Sequence, residues 1–517
     1  MLRIYICFTM LGIGVPYPIF DDFIKKTAQG NLIPVYKEIL ADMETPVSAF
    51  RKIDDGEFSF LLESVEGGEK WGRYSFLGCA PAMVLEGRGR EVRLMRGGRE
   101  DEILTGEDPI ATVRETMKRY KPVSDPNLPR FVGGSVGYIG YDMVRFFEEI
   151  PQVPKGDSGF PDMLLMIMTD LLIFDNQEKK IIIVSNAYLE EGSDPESVYR
   201  EAEMKIDRMI DRLNVPCEVL NLSLPPVADV PVPNSSFTRE RFMEAVEKAK
   251  AYIVAGDIIQ VVLSQRFHAP LKNDPFDIYR VLRTINPSPY MYFLRMGSTK
   301  IVGSSPEVLV RVEQDRIEVR PIAGTRRRGK DDGEDRALME ELLADPKERA
   351  EHIMLVDLGR NDVGRVAVTG SVRIKDLMVI EKYSHVMHIV SEVVGKLAPG
   401  LDAYDVLRSC FPAGTVSGAP KIRAMEIIEE LEPVRRGPYA GAVGYFDFSG
   451  NMDTCITIRT IVISDDDLYL QAGAGIVADS DPAFEYEETV NKARGLLKAM
   501  EVARQGIVRQ KAVGGSG

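Results

Sequence analysis

The chain is poor in the residues that build disulfide, zinc and thiol-imidazole chemistry. Its five cysteines, Cys7, Cys79, Cys217, Cys410 and Cys455, contain no C-x-x-C pair. An odd number of scattered thiols fits neither a disulfide framework nor a zinc site and points to a reducing, cytoplasmic setting. Only four histidines are present and no G-x-C-x-G loop, so a Cys-His glutaminase is not expected within this chain. No run reaches the ~18 consecutive apolar residues of a membrane span. Positive charge is also short: 64 Lys and Arg against 79 Asp and Glu leave a net −15, which argues against nucleic-acid and anionic-membrane partners. A phosphate cradle is missing too. In FPAGTVSGAPK, Phe411 to Lys421, the glycines Gly414 and Gly418 are too close for G-x-x-x-x-G-K-[ST], and Ala419 and Pro420 separate the second from Lys421. Small residues ahead of a helix still allow a backbone to approach some other anion.

What is present is an ordinary globular composition, 517 residues with 44% hydrophobic and 28% charged, enough for two or more domains. Residues 1–18 read as an N-terminal extension and 511–517 as a flexible tail. The pattern from Asp21 to Met43 is helical, and from Phe58 to Arg96 it becomes short alternating strands. A hairpin turns at Asn176 to Lys179, and a helix covers about 195–213. The proline-rich stretch Leu222 to Phe237 is the clearest linker, dividing an N-terminal region, 19–230, from a second domain, 231–510. There, helices are expected near 238–255, 275–284, 334–343, 346–358, 403–409, 420–431 and 481–502. They alternate with strands at 258–268, 290–296, 300–312, 316–322, 366–374, 440–448, 454–463 and 467–473. This order suggests an α+β fold of mostly antiparallel sheets with helices packed outside.

Two helices in this half begin alike, at Asp345-Pro346 and Asp481-Pro482, with aspartate suited to capping and proline to the first turn. Each carries glutamates three apart, Glu348 with Glu351 and Glu485 with Glu488, so each pair shares a face. Solvated helix surfaces and a capping box are one reading. Convergence on a hard cation is the other: Glu351 lies on a stripe with Met354, Leu355 and Leu358 that looks buried, and carboxylate-only ligation suits Mg²⁺. Glu488 shares its face with Lys492. Arg459, read as mid-strand in DTCITIRTIVIS, fits a bidentate grip on a carboxylate or a structural ion pair. Gly473 and Gly475 in QAGAGIV fit an oxyanion site or a bulge. His385 and His388 are too few for a metal site, although one could act as an acid or base. The arginines of GTRRRGK read as a solvated loop.

The segments PIAGTRRRG, ERAEHIMLVDLGRND, FPAGTVSGAPK, YAGAVGYF, DTCITIRT and AGAGIVADSDP resemble the chorismate-utilising enzymes. They are most similar to the large synthase subunits of the anthranilate-forming branch. SFLLES and GRYSFLG extend the likeness over nearly the whole chain after about Ile19. The resemblance implies that Mg²⁺, held by Glu351 and Glu488 with Glu348 and Glu485, grips the ring carboxylate of chorismate. Arg459, Tyr439, Gly473 and Gly475 would hold the enolpyruvyl carboxylate. Lys492 would stand at the acidic end, and His388 and Thr415 near the hydroxyl and enolpyruvyl substituents. The implied reaction turns chorismate and ammonia into anthranilate and pyruvate, the first step of tryptophan biosynthesis.

Relatives that add water carry a base lysine where this chain has Gln260; ammonia already has its lone pair, so glutamine suits amination. Relatives that aminate at C4 have a lysine nucleophile where Ala323 stands, which disfavours the p-aminobenzoate branch, the alternative enzyme. A non-catalytic tryptophan-binding regulatory subunit is the alternative outside enzymes. The resemblance also implies a glutamine amidotransferase partner, in a heterotetramer, and feedback by tryptophan. The inhibitor pocket would be formed by Glu63, Ser64, Pro289, Tyr290 and Met291.

Overall fold

The computed structural model describes residues 14–65, 72–97, 99–106, 108–153, 155, 158–216, 230, 232–383 and 386–506. His385, Cys7, Cys217, most of the proline-rich linker, most of the N-terminal extension and the C-terminal tail lie outside them.

Alternating apolar residues set the architecture. In the strand Tyr290–Met296, Tyr292 and Leu294 face one core while Met291 and Phe293 face another. In Met163–Met168, Leu164 and Met166 join the first of these cores, and Leu165 and Ile167 a third. Such period-two patterning on both faces demands cover on both sides. Among the described residues the strands form two twelve-stranded sheets, joined throughout by antiparallel pairs. The first runs 32–40, 180–188, 170–175, 74–79, 58–63, 290–296, 299–305, 460–464, 467–476, 260–270, 234–235, with 418–419 also on 260–270. The second runs 322–327, 386–396, 316–319, 308–313, 452–456, 442–447, 134–139, 163–168, 83–88, 91–96, 99–105, with 373–382 on 386–396.

Phe60, Tyr292 and Ile301 of the first sheet meet Val136, Met166 and Tyr445 of the second in the central core. Helices Pro195–Asn214, Pro275–Ile285 and Pro482–Gly506 cover the outer face of the first sheet, burying Ile206, Leu282 and Leu497. Helices Pro109–Met117, Pro346–Gly364 and Ala403–Cys410 cover the second through Val113, Val356 and Leu407. The expected α+β arrangement, antiparallel sheets packed together with helices outside, is what forms. Both sheets draw strands from both sides of the linker: Phe58–Glu63 pairs with Tyr290–Met296, and Gly134–Ile139 with Ala442–Asp447.

Several elements differ from the sequence reading. The helix expected over 21–43 stops at Lys26, and Leu32–Leu40 is a strand. Pro34 cannot sit inside a helix, and the chain at Gly30 runs so close to Lys121 that a Cβ would lie 2.3 Å from its carbonyl oxygen. The strand expected at 366–374 begins instead at Arg373, after Gly370 turns the chain at φ 78, and pairs with an unanticipated strand, Val386–Lys396.

Two other differences position the site. The run 300–312 breaks at Pro306 into Thr299–Ser305 in the first sheet and Val308–Glu313 in the second. The run 454–463 breaks into Met452–Ile456 in the second sheet and Thr460–Ser464 in the first. Each of these breaks carries the chain from one sheet to the other. The crossings lie together: Ile456 N–H donates to Glu307 O at 3.0 Å, Ser305 Oγ to Ile456 O at 2.7 Å, and Ser304 N–H to Arg459 O at 3.2 Å.

Candidate active site

Beside the two crossings opens a cleft of about 470 Å³. Gln260, Ala323, Thr415, Tyr439, Arg459, Gly473 and Gly475 line it, with Glu348, Glu351, Glu485, Glu488 and Lys492.

The carboxylates come from the first turns of two capped helices. Asp345 accepts from the N–H groups of Lys347 at 2.9 Å and Glu348 at 3.2 Å, and Asp481 from that of Phe484 at 2.8 Å. These caps fasten both helix starts at the cleft. Burial raises the affinity of Glu351 for its proton, and the charges of Glu348 and Glu488 raise it further. Glu485 is likewise shifted upward, mainly by burial, with Glu488 adding to it. The pairs from the two helices thus feel each other across the cleft, as like charges in a partly desolvated site must. Basic and amide groups hold them: Arg326 Nη1 lies 3.0 Å from Glu348, Lys492 Nζ 2.7 Å from Glu488, and Gln260 Nε2 3.4 Å from Glu351. Among the described residues no three acidic, imidazole or thiol side chains are gathered as a ready metal cage.

The opposite chemistry sits at the sheet crossing. Arg459 is not in mid-strand as the sequence pattern suggested. It stands between two strands with φ 51, a left-handed conformation that costs a non-glycine residue energy and aims its guanidinium into the cleft. Solvent reaches it, yet surrounding protein lowers its proton affinity, opposed by the charge of Glu488. Tyr439, buried, is pushed up to about 12 by that burial. Packing leaves no room for a Cβ at Gly473, which would lie 2.7 Å from Tyr439 Oη and 3.1 Å from Leu263 O, while one at Gly475 would displace the Gln260 amide, 2.7 Å away. Lys492 links the two ends, donating to Gly473 O at 2.8 Å as well as pairing with Glu488.

His388 is not part of that lining. Its Nδ1 lies 3.0 Å from the Gly324 carbonyl, which can only accept, so Nδ1 carries the proton and Nε2 keeps the lone pair. Burial lowers its proton affinity, and the charge of Arg459 also lowers it.

Sequence reasoning missed two groups. Glu307, at the first crossing, lines the cleft, is 8% exposed and is pushed up to about 8 by burial. Thr415 Oγ1 donates to its Oε1 at 2.8 Å, which leaves Oε2 to carry the proton. Its signal was the Ser-Ser-Pro-Glu break in an otherwise continuous strand pattern. Arg326 overturns the solvated-loop reading of GTRRRGK. It bonds Glu341 at 2.9 Å, and Asp345 and Glu348 at 3.0 Å each, and thereby orients the start of the 346–364 helix. Arg328 is similarly fastened to Asp335 at 2.7 Å.

A second cavity of about 530 Å³ lies between the sheets, lined by Glu63, Ser64, Pro289, Tyr290 and Met291, with Tyr445, Asp453 and Cys455 facing them. Glu63 is not free in it. Arg283 approaches both its oxygens, at 3.0 and 3.1 Å, and the hydroxyl of Tyr279 donates to Oε2 at 2.5 Å.

A cleft with acidic helix starts at one end and an arginine, a tyrosine and bare glycine backbone at the other suits a small dicarboxylate. In agreement, residues 60–498 match the family model described as chorismate binding enzyme, and the chain belongs to that family. Within it, the relatives are specific. Anthranilate synthase component 1 of Aquifex aeolicus (strain VF5) is 52% identical over 486 residues, covering 94% of this chain and 98% of that protein. Its namesake from Pseudomonas putida is 52% identical over 494 residues, covering 94% and 99%. The crystal structure of anthranilate synthase component I from Streptococcus pneumoniae TIGR4 shares the fold with TM-score 0.73 at 38% identity, over 89% of this chain and 98% of that one. The menaquinone-specific isochorismate synthase MenF of Escherichia coli shares the fold alone, with TM-score 0.67 at 19% identity, over 93% and 98%.

Proposed function

We propose that this enzyme converts chorismate and ammonia to anthranilate and pyruvate. The observation that carries the proposal is the polarity of the cleft, acidic at one end and anion-receiving at the other, in a chain about half identical to anthranilate synthase large subunits. Arg459, Tyr439 and the amides near Gly473 and Gly475 hold the enolpyruvyl carboxylate. Glu351 and Glu488, backed by Glu348 and Glu485, would hold Mg²⁺ at the ring carboxylate. The donor set fits that ion: all-oxygen ligands, with mutual repulsion that a cation relieves. When bound, Mg²⁺ supplies Lewis-acid withdrawal of charge from the carboxylate-bearing ring.

The chain's own groups perform the proton work. Ammonia adds at C2 while the C4 hydroxyl departs, and Glu307, held protonated near neutral pH and oriented by Thr415, is the acid for that oxygen. Gln260 offers an amide where a water-adding relative needs a base, and Ala323 offers no nucleophile. In the lyase half the C2 proton is removed, pyruvate leaves and the ring becomes aromatic; His388, outside the lining but near enough to feel the charge of Arg459 and with a free Nε2 lone pair, is the candidate group that assists. Lys492 tempers the charge of Glu488 and steadies Gly473.

A separate glutamine amidotransferase supplies ammonia in a cytoplasmic heterotetramer, and free ammonium replaces it in vitro. The region 19–230 shares in a tryptophan-sensing site in the second cavity, and 231–510 carries the catalytic groups. A ligand there presses on Asp453 and Cys455, in the strand whose end bonds Glu307 through Ile456, which supports inhibition by displacement of the catalytic crossing. In the test, purified chain, chorismate, Mg²⁺ and ammonium yield fluorescent anthranilate, and tryptophan suppresses it. Aminodeoxychorismate or salicylate as product would reassign the enzyme. Binding of tryptophan with no turnover would make it a regulatory subunit.

A further inference from the structure

We infer that the small cavity behind Glu307 and Thr415 receives the water that leaves C4 during amination, an inference that rests on the amination chemistry proposed above. The cavity, about 40 Å³, shares Glu307, Leu355 and Thr415 with the substrate cleft. Gly359, Val319 and Ala413 are among the residues that wall the rest. A water needs only about 10–15 Å³ of such space, so the pocket, which is partly open to solvent, has room for the water the step produces and is too small for the substrate. A buried water also needs polar partners. Glu307 and Thr415 supply them at the shared wall, and Asp362, 2.7 Å from Lys421 Nζ, is another polar group of the lining.

The atom balance explains why such a space is needed. A bond forms between ammonia nitrogen and C2, both ring double bonds shift, C1=C2 to C1=C6 and C5=C6 to C4=C5, and the C4–O bond breaks with its electron pair on oxygen. That oxygen takes the proton of Glu307 and becomes water. The added nitrogen releases its surplus proton to solvent, and Glu307 regains one from solvent before the next turnover. Water therefore appears beside Glu307 while the cleft is filled by the ring, and the adjoining cavity is the free volume next to it. Pyruvate elimination forms no water, so the cavity serves amination alone.

Filling the cavity separates the two half-reactions. A Cβ at Gly359 would stand 3.1 Å from Val319 Cγ2 and 3.6 Å from Pro321 Cγ, both in the cavity wall. Alanine is the better helix former but requires Val319 to give way, so the stability of Gly359→Ala is checked by thermal melting beside its activity. Ala413→Leu is a bulkier second filler from another segment. Each purified variant is assayed with chorismate, ammonium chloride and Mg²⁺, and separately with the isolated 2-amino intermediate. The expected result is a kcat from chorismate lower by on the order of tenfold, about 1.4 kcal/mol of barrier. The ammonium KM and turnover of the intermediate stay unchanged. Equal slowing of both reactions would mark general damage and overturn the inference. So would a raised ammonium KM at unchanged kcat, which would make the cavity an ammonia path, or full activity in both variants. A parent enzyme that makes no anthranilate from chorismate fails the functional reading itself, independently of the variants.

Discussion

Replacing Glu307 by glutamine should make the enzyme more stable at alkaline pH and nearly inactive in amination. Burial moves this carboxyl from 4.5 to about 8, equivalent to about 5 kcal/mol against its ionised form. The folded-state value lies above the unfolded one, so between them the folded chain holds a proton that the unfolded chain has lost. Stability therefore falls as pH rises through that window, with the full cost present above about pH 8 and absent below about pH 4.5. Glutamine is neutral throughout and still accepts the Thr415 hydroxyl, which lies 2.8 Å from Oε1. The stability gap between Glu307→Gln and its parent should thus grow by about 2 kcal/mol from pH 6 to pH 8, read by denaturant unfolding. An amide is no acid of comparable strength, and loss of a general acid typically costs about 10²–10⁴ in rate. Turnover is followed by anthranilate fluorescence at constant free ammonia, and in the parent it should decline as pH passes about 8. A pH-independent stability gap, or a variant with parental kcat, would refute the protonated-acid argument.

Three further outcomes follow from the same geometry. Glu351→Gln and Glu488→Gln should each abolish Mg²⁺-dependent turnover, and calorimetric titration should show lost Mg²⁺ affinity; full activity in either would sink the metal assignment. Arg459→Ala removes the cation at the anion-receiving end and should raise the chorismate KM on the order of a hundredfold, with kcat less affected; an unchanged KM contradicts its role. Arg326→Ala frees Glu341, Asp345 and Glu348, and because these groups are partly exposed the loss of stability should be modest, about 1 kcal/mol, read by thermal melting.

The architecture was legible wherever periodicity was clean. Tyr290–Met296 and the 482–506 helix announce themselves by alternation or by a capped start, and the spacing of the four glutamates puts each pair on one helix face. What escaped notice lies where a strand pattern continues through a change of sheet. Pro306 and Arg459 interrupt pairing without interrupting hydrophobicity, so 300–312 and 454–463 each read as one strand. The groups at those breaks, Glu307 and the re-aimed Arg459, are central to the site. Their roles depend on which sheet follows, a non-local fact. Arg326 was missed for a different reason. A loop of three arginines looks solvated until its partners, fifteen and more residues later, are brought beside it by the following helices.

The reaction proposed for this cleft is amination of chorismate at C2 followed by expulsion of pyruvate. The most direct test is to incubate purified chain with chorismate, Mg²⁺ and isotope-labelled ammonium, and to identify the products by mass spectrometry and NMR. Equal amounts of unlabelled pyruvate and of anthranilate labelled at its amino nitrogen are predicted. Label at C4 of an unaromatised product, or pyruvate released with an unlabelled salicylate, would contradict the account.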